Sequence, residues 1–436
     1  MKVKIGRSRI IQPLYEGTPP TITNHIPLSV FDKVTYDQHV AVIYAYRPPI
    51  PPTVTIELGL QKALAEYREW AGRLGKDDNA DPIILLNDEG VKFVEASVDR
   101  SLDQVMPFRP SASLLSLHPS LEGVVELVQV QLTTFSCGSL VVGFTANHLV
   151  ADGHSTSNFL VAWGQACRGL EISPLPFHDR TIFSPRDPPI LEFEHRGFEY
   201  INKKLKKVYP LIHNGVDDIV AHKVHYSTAF LAKLKAKASS LNGNNKPFST
   251  FESLLAHLWR SITRARGLSE HEVTQVRISV DGRHRLNPKV PNYFGNLVLW
   301  AFPKAKVNDL LNQPLPYATK LIHDAVTNVN DNYFKSFIDF ANHEVKEEED
   351  LVPNAVADTE ESILWPNLEV DSWLRFPFYE LDFGCGGPYI FMPSFFPTEG
   401  MIFLLPSFIQ DGSIDVFVPL FRDNLETFRQ ICYSLD

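Results

Sequence analysis

A proline-rich stretch near the middle of the chain limits most strongly how this sequence can fold. Proline removes the backbone donor that a helix or a central strand requires, and residues 173–189 contain Pro174, Pro176, Pro185, Pro188 and Pro189. Convincing periodicity returns only near residue 219. A chain of 436 residues is also too long for one hydrophobic core. The sequence therefore predicts two domains, 1–175 and 219–436, joined by a crossover over residues 176–218.

Composition places the chain among ordinary soluble globular proteins. Hydrophobic residues make up 44% and charged residues 21%. The net charge of −10 argues against nucleic acid and anionic membrane surfaces as partners. No apolar run reaches membrane-spanning length, and the N-terminus lacks the long apolar segment of a signal peptide. Because the four cysteines have neither metal nor disulfide spacing, we expect a cytoplasmic protein.

Both halves mix strand and helix patterns, which predicts an α/β (α+β) fold. In the first half we predict strands at 3–14 and 40–45, an amphipathic helix over 60–74, and hairpins pairing 83–86 with 91–96 and 124–134 with 139–146. In the second half we predict strands at 221–226 and 273–280, and helices at 228–239, after Ser249-Thr250, at 317–329 and at 333–342. No internal repeat of short period is present.

One short stretch has the features of a chemical site. His148 follows an alternating apolar strand, residues 139–146, and precedes a helical pattern in which Phe159 and Trp163 share a face. Such a junction presents a side chain to a cleft. Asp152 lies four residues further on, at a helix N-cap position, and Gly153 supplies backbone freedom there, where a side chain would crowd the turn.

Three interpretations of His148 compete on local grounds alone. The first is a strand-end histidine that only packs and forms hydrogen bonds. The second is a metal ligand together with Asp152 and His154, although no Cys or Glu cluster lies nearby. The third is a general base, a neutral imidazole that removes a proton from a nucleophile.

A second stretch, Asp382-Phe383-Gly384-Cys385-Gly386-Gly387, breaks regular structure near the end of the chain. Its simplest interpretation is a glycine turn that contains a capping aspartate. A phosphate-binding loop is disfavoured, because no Lys-Ser/Thr pair follows and no βαβ frame surrounds the glycines.

Taken together, the two stretches resemble the plant BAHD acyl-CoA-dependent acyltransferases. Their order and separation match that family over essentially the whole chain. Shorter stretches also match: Leu28-Ser29 with Asp32, Ala256-His257-Leu258-Trp259-Arg260, Asp281-Gly282-Arg283-His284-Arg285 and Tyr293-Phe294-Gly295-Asn296. Within the family the resemblance is strongest to hydroxycinnamoyltransferases that acylate agmatine, tryptamine and related amines. One departure is Cys385, which stands where the family usually has Trp.

The resemblance implies two similar chloramphenicol-acetyltransferase-like domains, each a mixed sheet flanked by helices, with a channel between them. Part of residues 360–390 would pack with the N-terminal domain. The channel would receive acyl-CoA as co-substrate and an amine as acceptor, and His148 would act as the general base. The resemblance implies no permanently bound cofactor, no metal, no acyl-enzyme and a monomeric protein.

The resemblance also assigns roles around His148. The aspartate matching Asp152 turns away from the histidine and pairs with an arginine, here Arg283 or Arg285, beside Gly153. Asp382 is grouped with His148 as a candidate catalytic residue. Its glycine-rich surroundings, Gly384 and Gly386, favour a role in fixing the channel wall.

Substrate-binding residues follow from chemistry and family analogy. Ser249 and Thr250, at a helix N-terminus, are candidates for binding the CoA phosphates, with simple N-capping as the alternative. For the acceptor the candidates are Glu369, Asp371 and Trp373.

In the extended stretch before the Asp382 motif, Glu369 and Asp371 face the same way and suit a cationic ligand, and we expect Glu369 to hold the positive charge of the acceptor. The alternative is an internal partner, for which Arg375 is nearest in sequence. The rival functions are O-acylation of a shikimate or quinate-type alcohol and non-catalytic binding.

Overall fold

The structure of the chain is a computed structural model that describes residues 1–17, 25–108, 111–202, 218–241, 246–354 and 363–435. Within these ranges the helices, α1 to α10 in chain order, are Val30–Lys33, Thr53–Glu66, Gly153–Cys167, Thr228–Ala238, Thr250–Arg266, Val307–Asn312, Leu315–Asn328, Asp331–Asn342, Val345–Glu348 and Arg422–Ile431.

The strands of the same ranges are numbered β1 to β18. In chain order they are Lys4–Ile11, His25–Pro27, His39–Tyr46, Arg73–Lys76, Pro82–Leu85, Val91–Val98, Val128–Phe135, Leu140–Asn147, Tyr200–Asn202, Ile219–Tyr226, Val273–Asp281, Val298–Ala301, Lys304–Lys306, Leu351–Pro353, Leu368–Ser372, Ile390–Pro393, Met401–Pro406 and Ile414–Phe421.

The first large sheet has the strand order β1-β6-β7-β8-β3-β16. β6 and β7 run parallel, whereas β7 and β8 form the antiparallel hairpin that the sequence predicts. α2 and α3 pack against each other over this sheet and bury Leu60, Phe159 and Trp163 in its core. β16, which comes from the second half of the chain, pairs with β3 as the edge strand.

The second large sheet is built around the strand order β10-β18-β17-β15-β11-β12. β15 lies parallel to both β11 and β17, and the outer strands are antiparallel. A separate core fills the space between this sheet and helices α4, α5, α7, α8 and α10. Two mixed sheets, each with its own helices and core, confirm the predicted fold class.

The segment before the Asp382 motif joins the first core although it lies in the second half of the sequence. Trp373, Phe378 and Phe383 are buried there, and Tyr46 donates a hydrogen bond to the backbone oxygen of Leu381 at 2.8 Å. The predicted crossover is described as far as residue 202, where β9 pairs with β14, and again at residue 218. Residues 203–217 lie outside the described part of the chain.

Two local predictions were wrong. The strands at 82–85 and 91–98 do not pair with each other, because β5 joins β2 and β4 in a small sheet while β6 lies between β1 and β7. The helix predicted over 60–74 ends at Glu66 and is followed by a short 3₁₀ helix and β4. In both places the apolar side chains pack in the first core. Contacts between residues distant in sequence decide which strands the backbone pairs with.

Candidate active site

A cavity of about 2640 Å³ lies between the two halves of the chain. The first half contributes the end of β8 and the start of α3, including His148 and Gly153. The second half contributes the cavity-facing residues of β11 and β15, including Ser279, Glu369 and Asp371. The cavity is large enough to hold two substrates side by side with the imidazole of His148.

His148 is the first residue after β8. Its backbone N–H donates to the oxygen of Gln38 at 2.8 Å, which ties the turn to the start of β3. The imidazole Nδ1 is buried and has no hydrogen-bond partner among the described residues. Nε2 is therefore the ring nitrogen available to the cavity, where it can take up a proton from a bound nucleophile.

Asp152 does not approach His148, because its carboxylate is fully engaged elsewhere. It caps α3 by accepting from the backbone N–H of Ser155 at 3.0 Å. Arg283 donates to both carboxylate oxygens, at 2.8 and 3.0 Å, and the N–H of Leu297 adds a third contact at 3.0 Å. Burial alone would raise the pKa of Asp152, but the Arg283 guanidinium outweighs it and holds that pKa below its ordinary value.

Of the two arginines considered as partners, Arg283 takes the position beside Asp152. It is completely buried and also bonds Asp281 at 3.0 Å. Arg285 instead donates to the backbone oxygens of Val326 and Val329, at 2.7 and 2.6 Å. The pair formed by Asp152 and Arg283 thus fastens α3 of the first domain to the end of β11 in the second.

The role predicted for Gly153 needs a correction in one part: a side chain would indeed be crowded here, but the reason is not backbone freedom. Its φ angle is not among the positive ones, so backbone freedom is not what the position requires. A Cβ at Gly153 would lie 2.8 Å from Cε2 of Phe376. The glycine therefore lets the aromatic ring of the second half approach the first turn of α3 at the cavity wall.

Asp382 lies outside the cavity lining and holds its own glycine-rich loop. One carboxylate oxygen accepts from the backbone N–H groups of Gly384 and Gly386, at 2.8 and 2.9 Å, and the other lies 3.5 Å from Arg168 on α3. Gly384 and Gly386 have φ angles of 101° and 85°, which side chains other than glycine rarely adopt. This position argues against a chemical role for Asp382. It also differs from the predicted role in fixing the channel wall, because Asp382 holds its own loop away from the cavity lining.

The metal alternative finds no support in the geometry. Over the described ranges, no group of three or more His, Cys, Asp or Glu side chains is arranged to hold a metal ion. His154 instead faces Asp281, with Nδ1 3.6 Å from Oδ2. Cys385 is half-buried at the edge of the first core, where burial raises the pKa of its thiol. No helix in the described part of the chain is long and apolar enough to cross a membrane.

Ser249 and Thr250 line the cavity at the beginning of α5. Ser249 and Glu252 form a capping box, in which the Ser249 hydroxyl accepts from the Glu252 N–H at 3.2 Å and the Glu252 carboxylate accepts from the Ser249 N–H at 2.6 Å. Glu252 also contacts His323 at 2.7 Å. The capping role is thus realised, and an anion could reach only the N–H groups that the box leaves open.

Sequence reasoning did not assign three cationic side chains to the cavity. Lys235, Arg285 and Arg375 line the same cavity. One of them, Arg285, lies within a stretch that carries the resemblance, 281–285. That location was the available signal that this arginine borders a substrate site.

Glu369 and Asp371 extend from one face of β15, as the alternation of a strand requires. Leu368 and Val370, which alternate with them, are buried in the second core. The parallel neighbour β11 places Arg277 beside Glu369. The two carboxylates therefore lie on the cavity side of the sheet, close to residues of β11.

The internal arginine at these carboxylates is Arg277 and not Arg375. Arg277 Nη1 lies 3.5 Å from Glu369 Oε2 and donates to the Tyr36 hydroxyl at 2.7 Å, while its guanidinium covers the Trp300 ring at 4.1 Å. Burial would lower the pKa of Arg277, but Glu369 and Tyr36 keep it above its ordinary value. Arg375 is the internal partner that the alternative interpretation names because it is nearest in sequence, whereas Arg277 reaches Glu369 through strand pairing.

Asp371 has a different environment from Glu369. Its described hydrogen bond comes from the neutral Ser279 hydroxyl at 2.7 Å. Trp373, two residues further on, is 7% exposed, packs edge-on against Phe403 and contributes to the cavity wall. The acceptor candidates therefore form one surface, with a neutral donor at one carboxylate and an arginine at the other.

Comparisons with known proteins agree with one another. The family model described as "Transferase family" matches residues 1–435. Putrescine hydroxycinnamoyltransferase 3 of Oryza sativa subsp. japonica is 52% identical, and agmatine coumaroyltransferase-1 of Hordeum vulgare is 50% identical; each alignment covers 100% of both chains. Shikimate O-hydroxycinnamoyltransferase of Nicotiana tabacum is 32% identical, also over 100% of both chains.

Solved structures support the fold. Vinorine synthase superimposes with a TM-score of 0.72 at 21% identity, covering 98% of this chain and 96% of its own. TRI101 of F. sporotrichioides, complexed with coenzyme A and T-2, gives a TM-score of 0.74 at 18% identity, with coverage of 92% and 96%. At such identities the likeness concerns the fold.

Proposed function

The chain belongs to the Transferase family, the BAHD acyltransferases that its motifs resemble, and on that premise we propose that it transfers a hydroxycinnamoyl group from CoA to an amine that carries a second cationic group. The relatives that share half of its residues are named for putrescine and agmatine. The observation that carries the proposal is the surface formed by Glu369 and Asp371 in the cavity that contains His148. Acyl-CoA is the co-substrate.

His148 performs the proton transfer in this proposal. The neutral acceptor nitrogen attacks the thioester carbonyl, and Nε2 of His148 takes the proton that the nitrogen loses. When the tetrahedral intermediate collapses, the carbon–sulfur bond breaks and the proton passes to the leaving sulfur. The products are an amide and CoA thiol. Because Asp152 is already bound by Arg283, no second carboxylate takes part at the imidazole.

The acceptor's distal cation is recognised by Asp371 and Glu369. A primary ammonium or a guanidinium forms charge-assisted hydrogen bonds with carboxylates, and a guanidinium can do so with two bonds at once. Arg277 partly neutralises Glu369, whereas the described partner of Asp371 is a neutral hydroxyl. Asp371 is therefore the stronger anchor, with Trp373 forming part of the wall beside it.

The phosphates of CoA are held where Ser249 and Thr250 begin α5. Open backbone N–H groups and the positive end of the helix favour an anion there. Lys235, Arg285 and Arg375 supply positive charge to the same cavity. The net charge of −10 thus coexists with a local cationic site for the donor.

The proposed function is tested with a matrix of substrates. Coumaroyl, feruloyl, benzoyl and acetyl CoA esters are combined with agmatine, putrescine, tryptamine, tyramine, spermidine and shikimate, and products are identified by mass. We expect hydroxycinnamoyl esters with agmatine or putrescine to give the fastest amide formation. Faster acylation of shikimate than of every amine would contradict the proposal.

His148→Ala tests the assignment of the base. Turnover should fall by roughly 10²–10⁴-fold, the usual effect of losing a general base. Acyl-CoA binding, measured by calorimetry, should stay within about threefold of wild type because the ring contacts the reacting atoms only. Near-native turnover in the variant would remove His148 from the mechanism.

We further propose that the enzyme works as a cytoplasmic monomer. The scattered cysteines remain free thiols in the structure, at positions 137, 167, 385 and 432. Size-exclusion chromatography with light scattering measures the mass in solution, and a fluorescent fusion measures the location. A stable dimer, or a signal confined to an organelle, would contradict this assignment.

A further inference from the structure

Three consecutive backbone oxygens of the turn that carries His148 are held by side chains from elsewhere in the chain. Asn296 Nδ2 directs one N–H at the oxygens of His148 and Leu149, which share it at 2.9 and 3.2 Å. Arg180 Nη2 donates to the oxygen of Val150 at 3.0 Å. The turn is thus clamped along its length, by one residue from the second domain and one from the crossover.

Both donors are gathered by a single carboxylate. Oδ1 of Asp32 accepts from the backbone N–H and the side-chain Nδ2 of Asn296, at 3.0 and 2.9 Å. Oδ2 accepts from Arg180 Nη1 at 2.5 Å and from the N–H of Ser29 at 2.7 Å. Asp32 is 0% exposed, Asn296 2% and Arg180 6%. At such burial the hydrogen bonds are strong and their geometry is well defined.

In the described part of the chain, no carboxylate or carbonyl accepts from Nδ1 of His148. In many active sites a carboxylate or carbonyl accepts from one ring nitrogen and thereby fixes the ring. Here Nδ1 is buried with no partner among the described residues. The direction of Nε2 therefore depends on the backbone of the turn and on packing around the ring.

From these observations we propose that Asp32 is a positioning residue for His148, acting through Asn296 and Arg180. The proposal rests on the acyl transfer proposed above. Asp32 holds the backbone of the turn that carries His148, and this takes the place of the usual hydrogen bond to the imidazole ring. A displacement of about 1 Å can reduce turnover by about 100-fold, so such a clamp has a direct catalytic consequence.

The first test is Asp32→Asn, which keeps the shape of the side chain but presents an amide to two donors. We expect kcat for amide formation to fall roughly 10- to 100-fold. The KM values for acyl-CoA and acceptor should stay within about threefold of wild type, because neither substrate touches Asp32. Asn296→Ala provides a second variant that keeps the bond between Asp32 and Arg180 but releases two backbone oxygens, and it should lower kcat in the same way.

Glu399→Gln is the matched control. Glu399 and Arg266 form an equally buried pair at 2.7 Å, but this arginine donates to the oxygens of Pro366 and Asn367, away from the His148 turn. We expect this control to lose thermal stability while the folded fraction keeps near-native kcat.

The outcomes separate the two proposals. If wild-type protein releases no thiol from hydroxycinnamoyl-CoA with any amine, the proposed function fails. If wild type is active and folded Asn296→Ala keeps kcat within about threefold, the positioning role is overturned. A kcat loss in Glu399→Gln as large as in Asp32→Asn would also overturn it, since general destabilisation would then explain both.

Discussion

Two carboxylate–arginine clusters border the same cavity, and they differ in how completely their charges are matched. Asp152 and Arg283 form a closed pair with two hydrogen bonds, and both residues are buried. In the second cluster, Glu369 and Asp371 lie beside Arg277, whose guanidinium is 3.5 Å from the Glu369 carboxylate. In the first cluster both oxygens of Asp152 are occupied by Arg283, whereas in the second the described partner of Asp371 is a neutral hydroxyl.

The difference teaches which carboxylates of an active site are available for substrates. A buried ion pair with every donor satisfied is expensive to disturb and serves as a structural fastening. A carboxylate on a cavity wall with a neutral hydroxyl as its described partner can exchange water for a cation of the substrate. Burial and partner count, and not the distance to His148 in sequence, separate the two roles.

The largest effect is expected when the closed pair is broken. Asp152→Asn leaves the Arg283 charge buried with weakened compensation, and we expect a loss of about 3–5 kcal/mol in unfolding free energy, measured by urea denaturation. Asp281→Asn is the control, because its half-exposed carboxylate accepts from the backbone N–H and from Nη1 of the same arginine through a single oxygen, both at 3.0 Å. A fully stable but inactive Asp152→Asn protein would instead indicate a direct chemical role.

The pH dependence of stability follows from the same pair. The folded-state pKa of Asp152 lies below its unfolded value, so its contribution is fully present above the unfolded pKa of about 3.9. That contribution is lost as the pH falls through the folded pKa. Wild type and Asp152→Asn should therefore converge in stability in strong acid and differ most near neutral pH. A constant difference across the acid range would contradict this linkage.

Changes in the second, open cluster of Glu369, Asp371 and Arg277 should affect acceptor binding and leave folding intact. Asp371→Asn should weaken the binding of agmatine and putrescine by roughly 1.5–3 kcal/mol, the value of a charge-assisted hydrogen bond. Glu369→Gln should cost less, because Arg277 already shares that charge. Tryptamine is the built-in control, since its only amine is the nitrogen that becomes acylated and no cation remains. Equal losses for agmatine and tryptamine would show that Asp371 does not read the distal charge.

How far the sequence could predict these clusters depends on the range of the interactions. The capping box at Ser249 and the strand leading to His148 are local, and the periodicity of neighbouring residues determines them. Arg277 was missed because it meets Glu369 only through pairing of β11 with β15. The same reason explains the incorrect hairpin at β5, whose backbone partners come from β2 and β4. The resemblance to a family predicted one such long-range contact, because it paired Asp152 with an arginine far along the chain.

The smallest effect is expected when a positive charge is removed from the open cluster. Arg277→Gln removes the positive charge that Arg277 places beside Glu369, and the lost pairing at a partly exposed site corresponds to about 0.2–1 kcal/mol. Agmatine and putrescine should therefore bind up to about fivefold more tightly, whereas tryptamine should be unaffected. The change is opposite in sign to that of Asp371→Asn, so the two variants test one electrostatic argument from both sides.

The effect is measured as the steady-state KM for the three acceptors at saturating donor. Arg375→Gln is the control, because it removes an arginine that lines the cavity but has no described contact with Glu369. Weaker binding of agmatine in Arg277→Gln would mean that the guanidinium over Trp300 shapes the acceptor site through packing, and that its charge does not compete with the substrate.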